Sequence, residues 1–315
     1  MSHPPTDDWF GRRTYRWQDW ALPDLLRAKQ AAGTTVSLVV PARNEAATVG
    51  AVVSRLREAL METIELVDEV VVIDSDSTDD TFAVAEEAGA VVHRAADVRP
   101  DLGTVAGKGE AMWKSVFVTT GDLLVFIDAD LIDWDTHFVP GLLGPLFADP
   151  AVTLVKGFYE RPLLDSDGTG SVLEGGRVTE LVARPLIALL FPELAGVVQP
   201  LAGEWAVRRS HFASLTVPTG YAVELAALVD TVVALGLDAV AQVDLGRRSH
   251  RHQPLRDLGA MATQIVAAAE RRAGRAVGDE VVLRQFTPGA AAETRHVPVW
   301  ERPPAASQLQ AAAPR

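Results

Sequence analysis

Five apolar residues in a row, Leu123 to Ile127, run straight into Asp128-Ala129-Asp130. An apolar run of this length, rich in strand formers, reads as a strand buried on both faces of a sheet. Residues two apart in extended chain project to the same side, so Asp128 and Asp130 face a common ligand while Ala129 keeps the space between them small. In an open α/β sheet, ligands collect at the C-terminal ends of the strands. Paired carboxylates placed there suit Mg²⁺ or Mn²⁺, which in turn neutralises a diphosphate. A solvated loop after a strand carries the same short pattern, so the rest of the chain must decide.

Composition removes several classes. The chain has 315 residues, 48% of them hydrophobic, enough for one large domain or two closely associated ones with a sizeable core. There is no cysteine, which excludes disulfides, thiolate metal sites and a cysteine nucleophile. A net charge of -13 argues against a broad nucleic-acid-binding or anionic-membrane surface. The N-terminus has no basic-then-apolar signal pattern. The most apolar later region, Leu181 to Val207, is broken by Arg184, Pro185, Pro192, Glu193, Pro200 and Glu204, too often for a spanning helix. The chain therefore reads as soluble and cytoplasmic, with no transmembrane segment.

Along the chain, residues 1–35 form an N-terminal arm and helix. Its aromatic residues Trp9, Phe10, Tyr15, Trp17 and Trp20 suit clamping onto the protein's own body in preference to a second subunit. Val36 to Val40 is a strand, followed by Pro41-Ala42-Arg43-Asn44-Glu45 and a helical pattern. Val70 to Ile73 is a second, followed by Asp74-Ser75-Asp76-Ser77-Thr78-Asp79 and a helix from Thr81. Ala90 to Val92 is a short third strand, and a glycine-containing loop and helix lead into the Leu123 strand. This alternation predicts an α/β fold with a mainly parallel sheet flanked by helices. After Asp130 the texture changes to a mixed half: strands over Val152 to Tyr159 and Val240 to Leu245, helices over Arg177 to Leu190 (interrupted at Pro185), Tyr221 to Leu235 and Leu255 to Ala273. The Pro- and Ala-rich stretch over residues 287–315 reads as a mobile tail.

Three polar signals thus follow successive strands: Pro41 to Glu45, Asp74 to Asp79, and Asp128-Ala129-Asp130. In this order and spacing they resemble the nucleotide-sugar half of GT-A glycosyltransferases, a Rossmann-like fold. Gly175-Gly176-Arg177-Val178-Thr179-Glu180-Leu181, Pro200-Leu201-Ala202-Gly203-Glu204-Trp205 and Arg248-Ser249-His250-Arg251-His252 narrow this. They are similar to the actinobacterial glucosyl-3-phosphoglycerate synthases. The resemblance covers residues 36–250 and implies one GT-A domain, with a nucleotide-sugar half over 36–130 and an acceptor half over 131–286. It implies transfer of glucose from UDP-glucose to the 2-hydroxyl of 3-phosphoglycerate with retention, an early step of methylglucose lipopolysaccharide synthesis in mycobacteria, by a homodimer.

Carried over residue by residue, the resemblance places Pro41, Ala42, Arg43, Glu45 and Ser75 around the uridine. Lys108 reaches the nucleotide, and Asp128, Ala129 and Asp130 lie at the diphosphate and sugar. Leu201, Gly203, Glu204 and Glu224 lie on the sugar side, and Asp130 and His250 at the metal. Asp130, Glu224 and Lys108 are the implied catalytic residues. Gly176, Arg177 and Thr179 offer backbone amides, a guanidinium fork and a hydroxyl, a donor set suited to the phosphate and carboxylate of an acceptor. His252 stands where the family commonly has asparagine, which leaves its acceptor role open.

An inverting transferase needs a carboxylate base opposite the leaving group. The Glu-Asp and Gln-x-x-Arg-Trp patterns of many inverting relatives are absent, which favours retention. A polyprenyl-phosphate glycosyltransferase shares the first three signals, but ordinarily brings membrane segments. A nucleotidyltransferase would open on a glycine-rich loop in place of Pro41 to Glu45. A sensor that binds a nucleotide sugar without transferring it sits poorly with the intact acidic pair and the Arg177 loop.

Overall fold

Val70, Val71, Val72 and Ile73 are all buried, as are Leu123 to Ile127, as expected of aliphatic runs covered on both faces. In the computed structural model, which describes residues 4–160, 163–164, 171–172, 176–248, 255–286, 289 and 291–312, these runs lie in an eight-stranded sheet. Its strands are β1 (Thr14–Arg16), β2 (Val36–Ala42), β3 (Glu69–Asp74), β4 (Val91–Arg94), β5 (Leu123–Phe126), β6 (Leu154–Glu160), β7 (Trp205–Arg208) and β8 (Val240–Arg247). Their spatial order is β1-β8-β6-β7-β5-β2-β3-β4. All neighbours run parallel except β7, which is antiparallel to both β5 and β6. The sheet is thus continuous across residue 130, and the mainly parallel GT-A-like architecture expected from the sequence is present.

Side chains alternate along each strand and feed two cores. Leu38, Val40, Val125 and Ile127 pack on one face with Val52, Leu56, Phe138 and Leu142. Val39, Leu124 and Phe126 pack on the other with Trp113, Phe212 and Leu228. Phe126 has its ring centroid 4.7 Å from that of Trp205 and 5.3 Å from that of Phe212. A truncation there would cost about 3–5 kcal/mol.

Register aligns the strand ends that matter. Ala42 sits opposite Asp74 and Val39 opposite Phe126, so Pro41–Arg43, Asp74–Ser75 and Asp128–Asp130 emerge side by side at one edge.

The N-terminal arm docks on this body. β1 extends the sheet beside β8, and the buried Trp9 donates its indole N–H to the carbonyls of Leu237 and Val240, both at 3.1 Å. The helix expected to be interrupted at Pro185 instead runs through it. A π-helical stretch over Thr179–Ala183 precedes the α-helix Arg184–Leu190, with Pro185 in that helix's first turn. Proline lacks an N–H and crowds the carbonyl four residues back, and the widened turn accommodates both.

The residues expected as a tail from 287 include ordered elements. Glu293–Pro298 pairs antiparallel with Glu280–Gln285, Glu301–Arg302 pairs with Val217–Pro218, and Ala305–Ala312 is helical. Composition concealed the anchors: Arg302 grips the fully buried Glu110 at 2.7 Å, and Trp113 donates to the Pro303 carbonyl at 2.8 Å. Among the described residues no helix is long and apolar enough to cross a membrane.

Candidate active site

A cleft of about 390 Å³ opens at the C-terminal ends of β2, β3 and β5. Pro41, Ala42, Arg43, Glu45, Ser75, Lys108, Asp128, Ala129, Asp130, Gly176, Arg177, Thr179, Leu201, Gly203 and Glu224 all line it. The sequence-expected donor and acceptor residues therefore share one space, with Glu204, His250 and His252 as exceptions. His250 and His252 lie outside the described residues. Glu204 is fully buried behind the wall, because its carboxylate turns inward to the Arg248 guanidinium at 2.9 Å and the Tyr159 hydroxyl at 2.7 Å.

The cleft's first wall is latched by the acidic cluster after β3. Asp74 binds the hydroxyl of Ser77, whose Oγ accepts from the Asn44 N–H at 2.9 Å. Asn44 Oδ1 accepts from Thr78 N at 2.8 Å, and Glu45 N donates to Thr81 Oγ1 at 2.7 Å. Asn44 adopts φ 56°, the left-handed region asparagine tolerates better than most residues. The cluster thus holds the Pro41–Glu45 turn, while Ser75 faces the cleft.

Lys108 opens the Lys108–Ser115 helix between two glycines. A Cβ at Gly107 would lie 2.2 Å from the Thr219 carbonyl oxygen, and one at Gly109 1.8 Å from that of Pro218. Only glycine lets this turn press against the 218–220 backbone and aim the lysine into the cleft. There Lys108 Nζ meets Asp128 Oδ1 at 2.5 Å and Glu224 Oε1 at 2.9 Å. Burial pulls the lysine pKa down, but Asp128 and Glu224 outweigh it and raise it.

Arg248, at the end of β8, forms the second cationic node. Its Nη2 donates to Asp128 Oδ2 and Asp130 Oδ1, both at 3.0 Å, and its Nη1 reaches Glu204 and the Tyr159 hydroxyl. Burial pushes the Asp128 carboxyl up, yet Lys108 and Arg248 together hold it below the usual carboxylate range. Glu204 goes the other way: burial raises it, against the pull of Arg248. No role for Arg248 follows from the sequence alone, although a basic residue just past a buried strand and two before His250 was the available signal.

The acidic pair fits a hard divalent cation. Both carboxylates converge on the single nitrogen Arg248 Nη2, so they already share one cationic group, and oxygen donors suit Mg²⁺ or Mn²⁺. Among the described residues no group of three or more histidine or acidic side chains is placed to hold a metal. Further ligands must come from water, substrate phosphate or residues outside the described set, His250 among them.

Opposite this network, Gly176 takes φ 92° and leads into the helical residues 177–190, with Arg177 and Thr179 facing the cleft. Leu258, Met261, Gln264 and Ile265 of the Leu255–Arg272 helix close the far side.

Residues 37–169 match the family model for glycosyl transferase family 2. Fold and site together define a glycosyltransferase of the GT-A type. Glucosyl-3-phosphoglycerate synthase of Mycobacterium tuberculosis (strain ATCC 25618 / H37Rv) is 47% identical over 300 residues, covering 92% of this chain and 90% of the relative. The crystal structure of the M. tuberculosis synthase with Mn²⁺, UDP-glucose and phosphoglyceric acid is similar at 44% identity and TM-score 0.82, over 92% of this chain and 95% of that one. Its complex with Mg²⁺ and UDP gives 44% identity and TM-score 0.84, over 94% and 99%. The chain belongs to the glucosyl-3-phosphoglycerate synthase family.

Proposed function

We propose that the protein transfers the glucosyl unit of UDP-glucose to the 2-hydroxyl of 3-phosphoglycerate, releasing UDP, with retention at the anomeric carbon. One observation carries the reading: the Lys108–Asp128–Glu224 network and the Gly176–Thr179 turn face each other across a single cleft. The similarity to a synthase structure holding UDP-glucose and phosphoglyceric acid supports the choice of substrates.

In this reading Pro41, Ala42, Arg43, Glu45 and Ser75 receive the uridine. Lys108 offsets negative charge on the departing diphosphate, a preorganised electrostatic contribution. Asp128, Leu201, Gly203 and Glu224 hold the hexose. Arg248 holds the Asp128 carboxyl below its usual range and pairs with both Asp128 and Asp130 at the cleft. Asp130, with His250, would hold Mg²⁺ or Mn²⁺, which supplies Lewis-acid stabilisation of the diphosphate. Gly176, Arg177 and Thr179 bind the acceptor's phosphate and carboxylate, with His252 as a further contact.

Glu224 is the carboxylate that a double displacement would need. Its ion pair with Lys108 at 2.9 Å draws charge from that oxygen and makes it a poor nucleophile. A front-face transfer is therefore the better account: as the sugar–phosphate bond breaks and the new glycosidic bond forms, a phosphate oxygen of UDP takes the acceptor proton. A cytoplasmic homodimer completes the reading, and light scattering of the purified protein reads its mass. NMR of the product from UDP-glucose, 3-phosphoglycerate and Mg²⁺ tests the chemistry. An α-glucosyl group on the acceptor's 2-hydroxyl is expected, and a β-linked product would sink the retaining mechanism.

A further inference from the structure

Lys156 has no task in the reaction described above, yet it lies beneath the cleft. It sits on β6 opposite Trp205 of β7 and Gln242 of β8, and is 1% exposed. Burying an ammonium is costly unless its position is used. Its Nζ donates to the Ala202 carbonyl at 2.5 Å and stands 5.6 Å from the centroid of the Trp205 ring.

Ala202 lies between Leu201 and Gly203, both of which line the cleft. Gly203 approaches Asp128 so closely that a Cβ would fall 2.2 Å from Oδ2. The segment is held from below at two carbonyls by neighbouring residues of β6: Ala202 by Lys156, and Glu204 by the Gly157 N–H at 2.9 Å. These ties set which backbone groups of Leu201 and Gly203 face the cleft. The charged groups around Lys156 are Glu224 on the Val223–Leu235 helix, Lys108 on the Lys108–Ser115 helix, Glu204 ahead of β7 and Asp128 after β5. Arg248 stands behind the last two.

We propose that Lys156 is a positioning residue for the transferred hexose: its ammonium fixes the Ala202 carbonyl, and with it the Leu201–Gly203 backbone on which the sugar rests, and supplies positive charge beneath Glu224 and Asp128. This rests on the donor reading above, which places the hexose over Leu201, Gly203 and Glu224. Burial brings the lysine down to about 7, against the raising influence of Glu224, so the charge is present below that pH and lost above it.

The test is calorimetric binding of UDP-glucose and of UDP, with Mg²⁺, below pH 7, to the wild type and to Lys156→Met, which keeps the length and removes the charge. The variant should bind UDP-glucose about tenfold more weakly and UDP unchanged, because the lost charge-assisted hydrogen bond acts on the hexose side alone. Equal weakening of both ligands, or of neither, overturns the proposal. A second reading needs no variant: wild-type affinity for UDP-glucose should fall as pH rises through about 7. An affinity that is flat or rising through that range overturns the proposal too. A wild type that binds UDP but not UDP-glucose would instead sink the donor reading, and this inference with it.

Discussion

On the side of the cleft assigned to the donor, Glu224 and Arg248 are buried, Lys108 and Asp128 half-buried, and each meets an opposite charge within 3.0 Å. On the side assigned to the acceptor, Gly176, Arg177 and Val178 are half-buried and Thr179 is buried, and the site is shaped by a left-handed glycine and a helical turn. The donor network is interdependent: withdrawing one cation leaves carboxylates without compensation in a low-dielectric setting. The acceptor turn, in contrast, is set by local backbone geometry, a left-handed glycine leading into a helical turn.

That contrast breaks first at Lys108. Lys108→Met leaves Glu224 without its ammonium, and should lower stability by about 3–5 kcal/mol in a denaturation midpoint and turnover by about 10²–10³-fold in a UDP-release assay. A variant as stable and active as the wild type would mean the donor network is not interdependent. On the acceptor side, Arg177→Lys keeps the charge and loses the planar fork. The KM for 3-phosphoglycerate should rise about tenfold, with the KM for UDP-glucose unchanged. A matching rise in donor KM would erase the distinction between the two sides.

The smallest effect is confined to acid. The Asp128 carboxyl is held below its ordinary range, so its stabilising contribution is complete above the unfolded-state value of about 3.9 and is lost as pH falls towards the lower native one. Melting temperature against pH should therefore drop less steeply below about pH 4 in Asp128→Asn than in the wild type. Parallel acid limbs would count against the ion pairs assigned to Asp128.

Much of the donor side was legible in the sequence because it follows from short-range rules. An apolar run ending in Asp128-Ala129-Asp130 reads as a strand with its acids at the mouth, strand-helix alternation sends the Pro41 and Asp74 turns to the same edge, and the family resemblance supplied their ligands. What escaped depends on long-range packing. Arg248 is 118 residues from Asp130 and meets it only because β8 and β5 belong to one sheet. Glu204 reads as a sugar-side carboxylate beside Gly203, but its inward turn is set by Arg248 and Tyr159. The ordering of Glu293–Pro298 and Glu301–Arg302 was hidden because their Pro- and Ala-rich surroundings carry no periodicity: the first pairs with Glu280–Gln285, and the second is held by Glu110, far away in sequence.

In the proposed function, one cleft activates UDP-glucose and presents it to 3-phosphoglycerate. The most direct measurement is UDP release from UDP-glucose and Mg²⁺, with and without 3-phosphoglycerate, in the wild type and in Asp130→Ala. Release should require the acceptor and fall at least about a hundredfold without Asp130. Release that proceeds equally without 3-phosphoglycerate, or that survives loss of Asp130, would contradict the proposed function.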